Sequence, residues 1–164
     1  MSIDLSYCGL QGEFPESIFK IPYVQTLEVS FNPNLLGSLP ELPQRSAMSL
    51  SSTNFYGELP ESIGNLQNIT FLLLDNCNFS GTIPDAISKL SQLAMLDLSS
   101  NNFSGPILSL DLPKNEGGLL KLLYLNLQSN SLDGVIHYSL FTLPLLRAPI
   151  TSAESVQRSI QRGS

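Results

Sequence analysis

One phrase recurs along this chain and leaves it few architectures to adopt. It reads Leu-x-Leu-x-x-Asn-x-Phe-x-Gly-x-Ile-Pro, with substitutions, and occurs six times. Its clearest copies run over residues 72–84 and 96–107. Gly12, Gly37, Gly57, Gly81, Gly105 and Gly134 mark the register, at spacings of 25, 20, 24, 24 and 29 residues. A period that wanders in this way describes successive coils with small insertions and deletions.

Each coil opens on two apolar residues separated by a polar one: Ile3/Leu5, Leu27/Val29, Met48/Leu50, Leu72/Leu74, Leu96/Leu98 and Leu125/Leu127. Alternation of period two predicts a short strand with these residues pointing inward. A strand so short cannot bury itself, but six of them stacked in parallel can share a core. The segment between strands carries its apolar residues three apart, as in Ile87, Leu90 and Leu93, the spacing of a tight helical return. The expected fold class is α/β: a right-handed solenoid with short parallel strands on the concave face and 3-10, irregular and short helical returns on the convex one.

Three residues after the second strand leucine the chain turns inward and needs a side chain that satisfies turn backbone. An asparagine amide, which donates and accepts, can bridge neighbouring coils there. Asn32, Asn101 and Asn130 hold this position, and Cys8, Thr53 and Cys77 replace them in the other coils. Cys8 and Cys77 are three coils apart, roughly 14 Å at strand spacing and beyond the reach of a disulfide. Two buried free thiols are expected.

Composition narrows function by exclusion. Charged residues make up 13% of the chain and the net charge is −6, which suits neither phosphate backbones nor anionic lipid. One histidine, His137, and two separated cysteines give no metal-ligand spacing and no nucleophilic triad, so no metal, cofactor or enzymatic activity is expected. No apolar run reaches the roughly 18 residues of a membrane span, and the first residues lack the basic and apolar regions of an export signal. Direct membrane contact by this segment is not expected.

The phrases Gly12-Glu13-Phe14-Pro15, Gly37-Ser38-Leu39-Pro40, Gly57-Glu58-Leu59-Pro60 and Gly81-Thr82-Ile83-Pro84 resemble the plant-specific class of leucine-rich repeats. In finer detail, residues 31–43 and 61–66 resemble the extracellular part of receptor-like proteins of the verticillium-wilt-resistance type, and the resemblance spans residues 1–146. It implies secreted, glycosylated, single-span proteins that recognise a peptide, protein or wall fragment outside the cell and signal through partner kinases. Against that plan, the chain reads as an internal slice of such an ectodomain, without its export signal, caps or membrane span.

Outward positions of the strands and of the turn that follows form the surface on which such solenoids bind. Tyr7, Phe31, Phe71 and Tyr124 are the aromatic candidates, because exposed rings give rigid contact area at low entropic cost. Asp4, Glu28, Asp75 and Asp97 favour a basic ligand, and Asn126 lies in the same stripe. Asp and Ser are also ordinary letters of the repeat phrase at these places. Three glycosylation sequons start at Asn68, Asn78 and Asn102. Asn78 and Asn102 occupy one repeat position and are expected to stack on one flank.

Departures from the repeat come late in the chain. Residues 108–118 are too long for one return and too short for a coil, and His137 replaces the proline of the sixth coil. Pro149 stands where the next inward leucine belongs, so the solenoid is expected to end at residue 146. The tail, 147–164, carries three basic and one acidic residue, and Thr151 to Glu154 fit a helix-capping box. A short helix over 152–162 is expected there. The leading function is ligand recognition by a receptor-like protein, in defence signalling, with a peptide or protein as partner. Two alternatives stand beside it: a soluble inhibitor of a secreted wall-degrading enzyme, and a truncated product that pairs with a full-length leucine-rich-repeat relative.

Overall fold

The computed structural model describes residues 1–107, 118–133, 140, 142–147 and the backbone of 149–150. Two parallel sheets share one core. The first, concave sheet is built from β1 (Ser2–Asp4), β3 (Thr26–Glu28), β5 (Ala47–Ser49), β7 (Phe71–Leu73), β9 (Met95–Asp97), β11 (Tyr124–Asn126) and β13 (Pro149–Ile150), each paired with the next in that order. The second lies on the flank and contains β2 (Gln11–Glu13), β4 (Asn32–Gly37), β6 (Thr53–Glu58), β8 (Asn78–Thr82), β10 (Asn102–Pro106) and β12 (Ser131–Asp133).

The first sheet follows the repeat. Ile3, Leu27, Met48, Leu72, Leu96 and Leu125 are successive register partners, and all but Ile3 are buried. Short returns close the coils on the opposite side: α1 (Glu16–Phe19) and two 3-10 turns, Glu61–Asn65 and Asp85–Lys89. Ile87, Leu90 and Leu93 are fully buried, as their three-residue spacing requires. The two 3-10 turns pack closely: a Cβ on Gly64 would come within 2.8 Å of Ala86 Cβ and 2.9 Å of its carbonyl oxygen.

The flank sheet is a structure the strand pattern did not announce. Across β6, β8 and β10 its partners are 22 residues apart (Tyr56↔Asn78, Ser80↔Asn102), whereas Leu72↔Leu96 in the first sheet are 24 apart. From β6 to β12 each flank pairing is therefore two residues shorter than the coil, whereas β2–β4 is shorter by one and β4–β6 shifts register within the strand. The Phe of the repeat phrase points from this sheet into the core, where Phe55, Phe79 and Phe103 are fully buried. Phe79 and Phe103 lie nearly parallel at 6.3 Å, and Phe55 meets the edges of Phe14 and Phe19 at 5.9 and 6.0 Å.

The inward turn position does what an amide there should do. Asn32 Nδ2 donates to the carbonyls of Val29 in its own coil and Leu5 in the preceding one, while Oδ1 accepts from Leu10 N. Asn101 repeats the pattern with Leu98, Leu74 and Phe79 N, and Asn130 with Leu127, Leu98 and Phe103 N. Thr53 and Cys77 substitute in part, donating to the Leu50 carbonyl at 2.6 and 3.1 Å.

Three expectations need correction or lie elsewhere. Cys8 is exposed, whereas Cys77 is buried; neither is in a disulfide. Burial pushes the Cys77 thiol up from its ordinary pKa. An aromatic disulfide reagent at pH 8 is expected to titrate Cys8 within seconds of mixing and Cys77 only as the chain unfolds; two rapid equivalents would contradict that placement. Pairing does not stop before Pro149: β13 lies parallel to β11 with Pro149 opposite Leu125. As the last strand of its sheet among the described residues it has an unpaired side, where a residue without an N–H is tolerated. The irregular segment 108–117, Gly134, His137 and the proposed helix 152–162 lie outside the described residues.

Candidate recognition surface

Strand and turn build the surface together. In every coil from the first to the sixth, one residue just past the concave strand has a left-handed backbone: Tyr7, Phe31, Ser52, Asn76, Ser100 and Ser129, with φ between 53° and 58°. Such a conformation costs a non-glycine residue about 1 kcal/mol or more. It persists because the hydrogen-bond ladder runs on through the turn. Tyr7, Phe31, Ser52, Asn76 and Ser100 each donate their N–H to a carbonyl of the next coil, at 2.8–3.0 Å.

This turn decides where the two N-terminal aromatic candidates sit. Tyr7 and Phe31 leave the sheet side by side and stack with ring centroids 4.3 Å apart and planes 8° from parallel. They remain 73% and 44% exposed, and Phe71 on β7 is 45% exposed. Tyr7 and Phe31 thus form a small exposed apolar patch, with Phe71 apart from it two coils on.

The other candidates are tied into a polar network. Asp97 Oδ1 accepts from the N–H and hydroxyl of Ser99, and its Oδ2 accepts from Tyr124 Oη at 3.2 Å and Asn126 Nδ2 at 3.1 Å. The half-buried Tyr124 phenol is pushed above its ordinary pKa by burial and by the nearby Asp97 charge. Asn126 Oδ1 in turn accepts from Gln128 N. Asp75 accepts from the Ser51 hydroxyl, which lies 3.4 Å from that of Ser49, itself 2.6 Å from that of Ser30. Asp97, Tyr124 and Asn126 thus organise one another.

Glu28 differs from these carboxylates. It is half-buried on β3 opposite Asp4 of β1, and it has no side-chain hydrogen bond or ion pair among the described residues. Asp4 accepts the Ser6 N–H at 2.9 Å, and the Ser6 backbone and hydroxyl hold its carboxyl below the ordinary range. Sequence alternation correctly lists outward residues but cannot distinguish a carboxylate used internally from one left free.

The sequon asparagines Asn68, Asn78 and Asn102 are all exposed. Asn78 and Asn102 both open flank strands, away from the concave sheet. The shift of the flank sheet sets Asn102 against Ser80, so the two are not register partners. Asn78 Nδ2 donates to Asn54 Oδ1 at 3.0 Å. Among the described residues no group of three or more His, Cys, Asp or Glu side chains converges as a metal site, and no helix is long and apolar enough to cross a membrane.

A Leucine Rich Repeat family model matches residues 1–21, 68–90 and 92–113. Receptor-like protein 6 of Arabidopsis thaliana is 38% identical over 74 residues, which is 43% of this chain and 7% of that protein. Among solved structures, a TDR receptor superposes on 92% of this chain and 26% of its own with a TM-score of 0.77 and 29% identity. The ectodomain of the Arabidopsis receptor kinase HAESA, solved with an extended IDA peptide hormone ligand, covers 84% of this chain and 23% of its own at a TM-score of 0.71 and 34% identity. The chain thus spans a small part of each of these relatives. Parallel coils, the inward asparagine ladder and these likenesses agree: this chain is a leucine-rich-repeat solenoid whose fold is similar to that of plant receptor ectodomains.

Proposed function

We propose that this chain is a recognition segment that binds a peptide or protein along its concave sheet, as part of an extracellular receptor-like protein in defence signalling. The observation that carries the reading is the exposed aromatic set Tyr7, Phe31 and Phe71 on a rigid face whose neighbouring side chains are already ordered by hydrogen bonds. A preordered face loses little entropy on binding, and exposed rings supply most of the contact energy. The solved complex of HAESA with a peptide hormone supports the same use of the fold. Glycans at Asn78 and Asn102 would cover the flank and leave the concave face open.

The test is a random dodecapeptide display library offered to immobilised wild type and to the double variant Phe71→Ala/Tyr124→Ala, with circular dichroism confirming that both are folded. Peptides retained by wild type and lost at least tenfold by the variant are expected. Equal retention of every peptide would sink the concave-face reading.

A further inference from the structure

The cations are confined to one side of the solenoid, whereas the anions lie on both. Lys20, Arg45, Lys89, Lys121 and Arg147, the Lys and Arg residues among those described, all lie in return segments. Neither sheet carries one. Asp4, Glu28, Asp75 and Asp97 line the concave side, and the ion pair formed among the described residues, Lys20 with Glu16, is on the convex side. Asp75 and Asp97 accept hydrogen bonds from neighbours, whereas Glu28 is unpartnered and faces a second carboxylate, Asp4, across one strand spacing of about 4.8 Å. Like charges set opposite each other on a sheet destabilise it unless something of opposite sign lies between or above them. Three residues further along the same two coils stand the exposed, stacked rings of Tyr7 and Phe31.

Resting on the concave-face reading, we infer that the partner of this face is a basic peptide segment. The side chain of one of its arginines or lysines lies against the Tyr7–Phe31 ring stack, and its charge is met by Asp4 and Glu28. A planar guanidinium suits this place best, since it stacks on an aromatic face and gives hydrogen bonds to carboxylates in the same plane. The first two coils are therefore the anchor, and the Asp97 cluster is the floor along which the rest of the segment runs. A cation over an exposed ring and beside two carboxylates is expected to change affinity by about three- to tenfold.

The peptides selected above provide the test. Those dependent on Phe71 and Tyr124 should be enriched in Arg and Lys, and their binding should weaken at least threefold with Glu28→Gln and with Phe31→Ala. The charge controls Glu61→Gln and Asp85→Asn, which remove exposed convex carboxylates, should leave binding unchanged. Glu28→Gln removes no internal bond, so its effect is not one of misfolding. Concave-dependent peptides without basic enrichment, or equal weakening by the convex controls, would overturn the inference while leaving the concave-face reading intact. Failure to recover any concave-dependent peptide would overturn both.

Discussion

Replacing Asn101 by leucine is expected to destabilise the folded chain by about 3 kcal/mol or more, because it leaves two buried backbone groups without partners. Those groups are the Leu74 carbonyl and the Phe79 N–H, which Asn101 serves at 2.7 and 3.0 Å. The Leu98 carbonyl, a third partner, keeps its bond from Asn130 at 2.9 Å. Leucine fits the volume, so the loss reports hydrogen bonding and not a cavity. Asn101→Thr is expected to be less severe, since Thr53 occupies the same place in its coil and still donates to a carbonyl. Urea unfolding followed by circular dichroism measures both; a leucine variant as stable as wild type would mean that the inward amide does not tie the coils together.

The second large effect is expected at Phe55. Truncation to alanine should cost about 3–5 kcal/mol, the usual range for a fully buried aromatic residue. Its ring fills the space left by Gly37, where an added Cβ would come within 2.7 Å of Phe55 Cε1, and it meets Phe14 and Phe19 edge-on or tilted. The two sites should therefore couple. Gly37→Ala alone is expected to destabilise through overpacking, by about 1–3 kcal/mol, and to be partly relieved in a Phe55→Leu background. Strict additivity in the double-mutant cycle would contradict the packing.

Much of this architecture is legible in the sequence because each coil repeats the same physical requirement. Alternating leucines name the inward face of each strand, and the residue three places later names the coil-bridging side chain. Both follow from local geometry. The flank sheet does not, because Asn-x-Phe-x-Gly reads as a turn in isolation and becomes a strand only when a displaced neighbour supplies the ladder. Arg45 shows the same limit. Set in a proline-rich return, it is fully buried and donates to the carbonyls of Val24, Ile18 and Phe19. Burial lowers its pKa from the ordinary guanidinium value. It supplies donors near the end of α1, a role that depends on two coils meeting and leaves no mark in local sequence.

The candidate surface is legible to a similar depth. Period-two alternation puts Glu28, Phe71, Asp97, Tyr124 and Asn126 outward, and the repeat places Tyr7, Phe31 and Asp75 beside them. Which of these are available to a partner depends on side-chain neighbours in adjacent coils, such as Tyr124 on Asp97 across the β9–β11 pair. The left-handed turn that makes Tyr7 and Phe31 stack is also hidden, since no glycine marks it.

The absence of tryptophan from the sequence allows a direct measurement of where a partner sits. Phe71→Trp places a sole indole on the concave sheet, and Tyr23→Trp places one at a 79% exposed position on a return segment. On titration with a peptide selected on the wild-type chain, emission from Phe71→Trp is expected to shift to shorter wavelength and saturate, while that from Tyr23→Trp stays constant. A saturating change at Tyr23→Trp with none at Phe71→Trp would contradict recognition by the concave face.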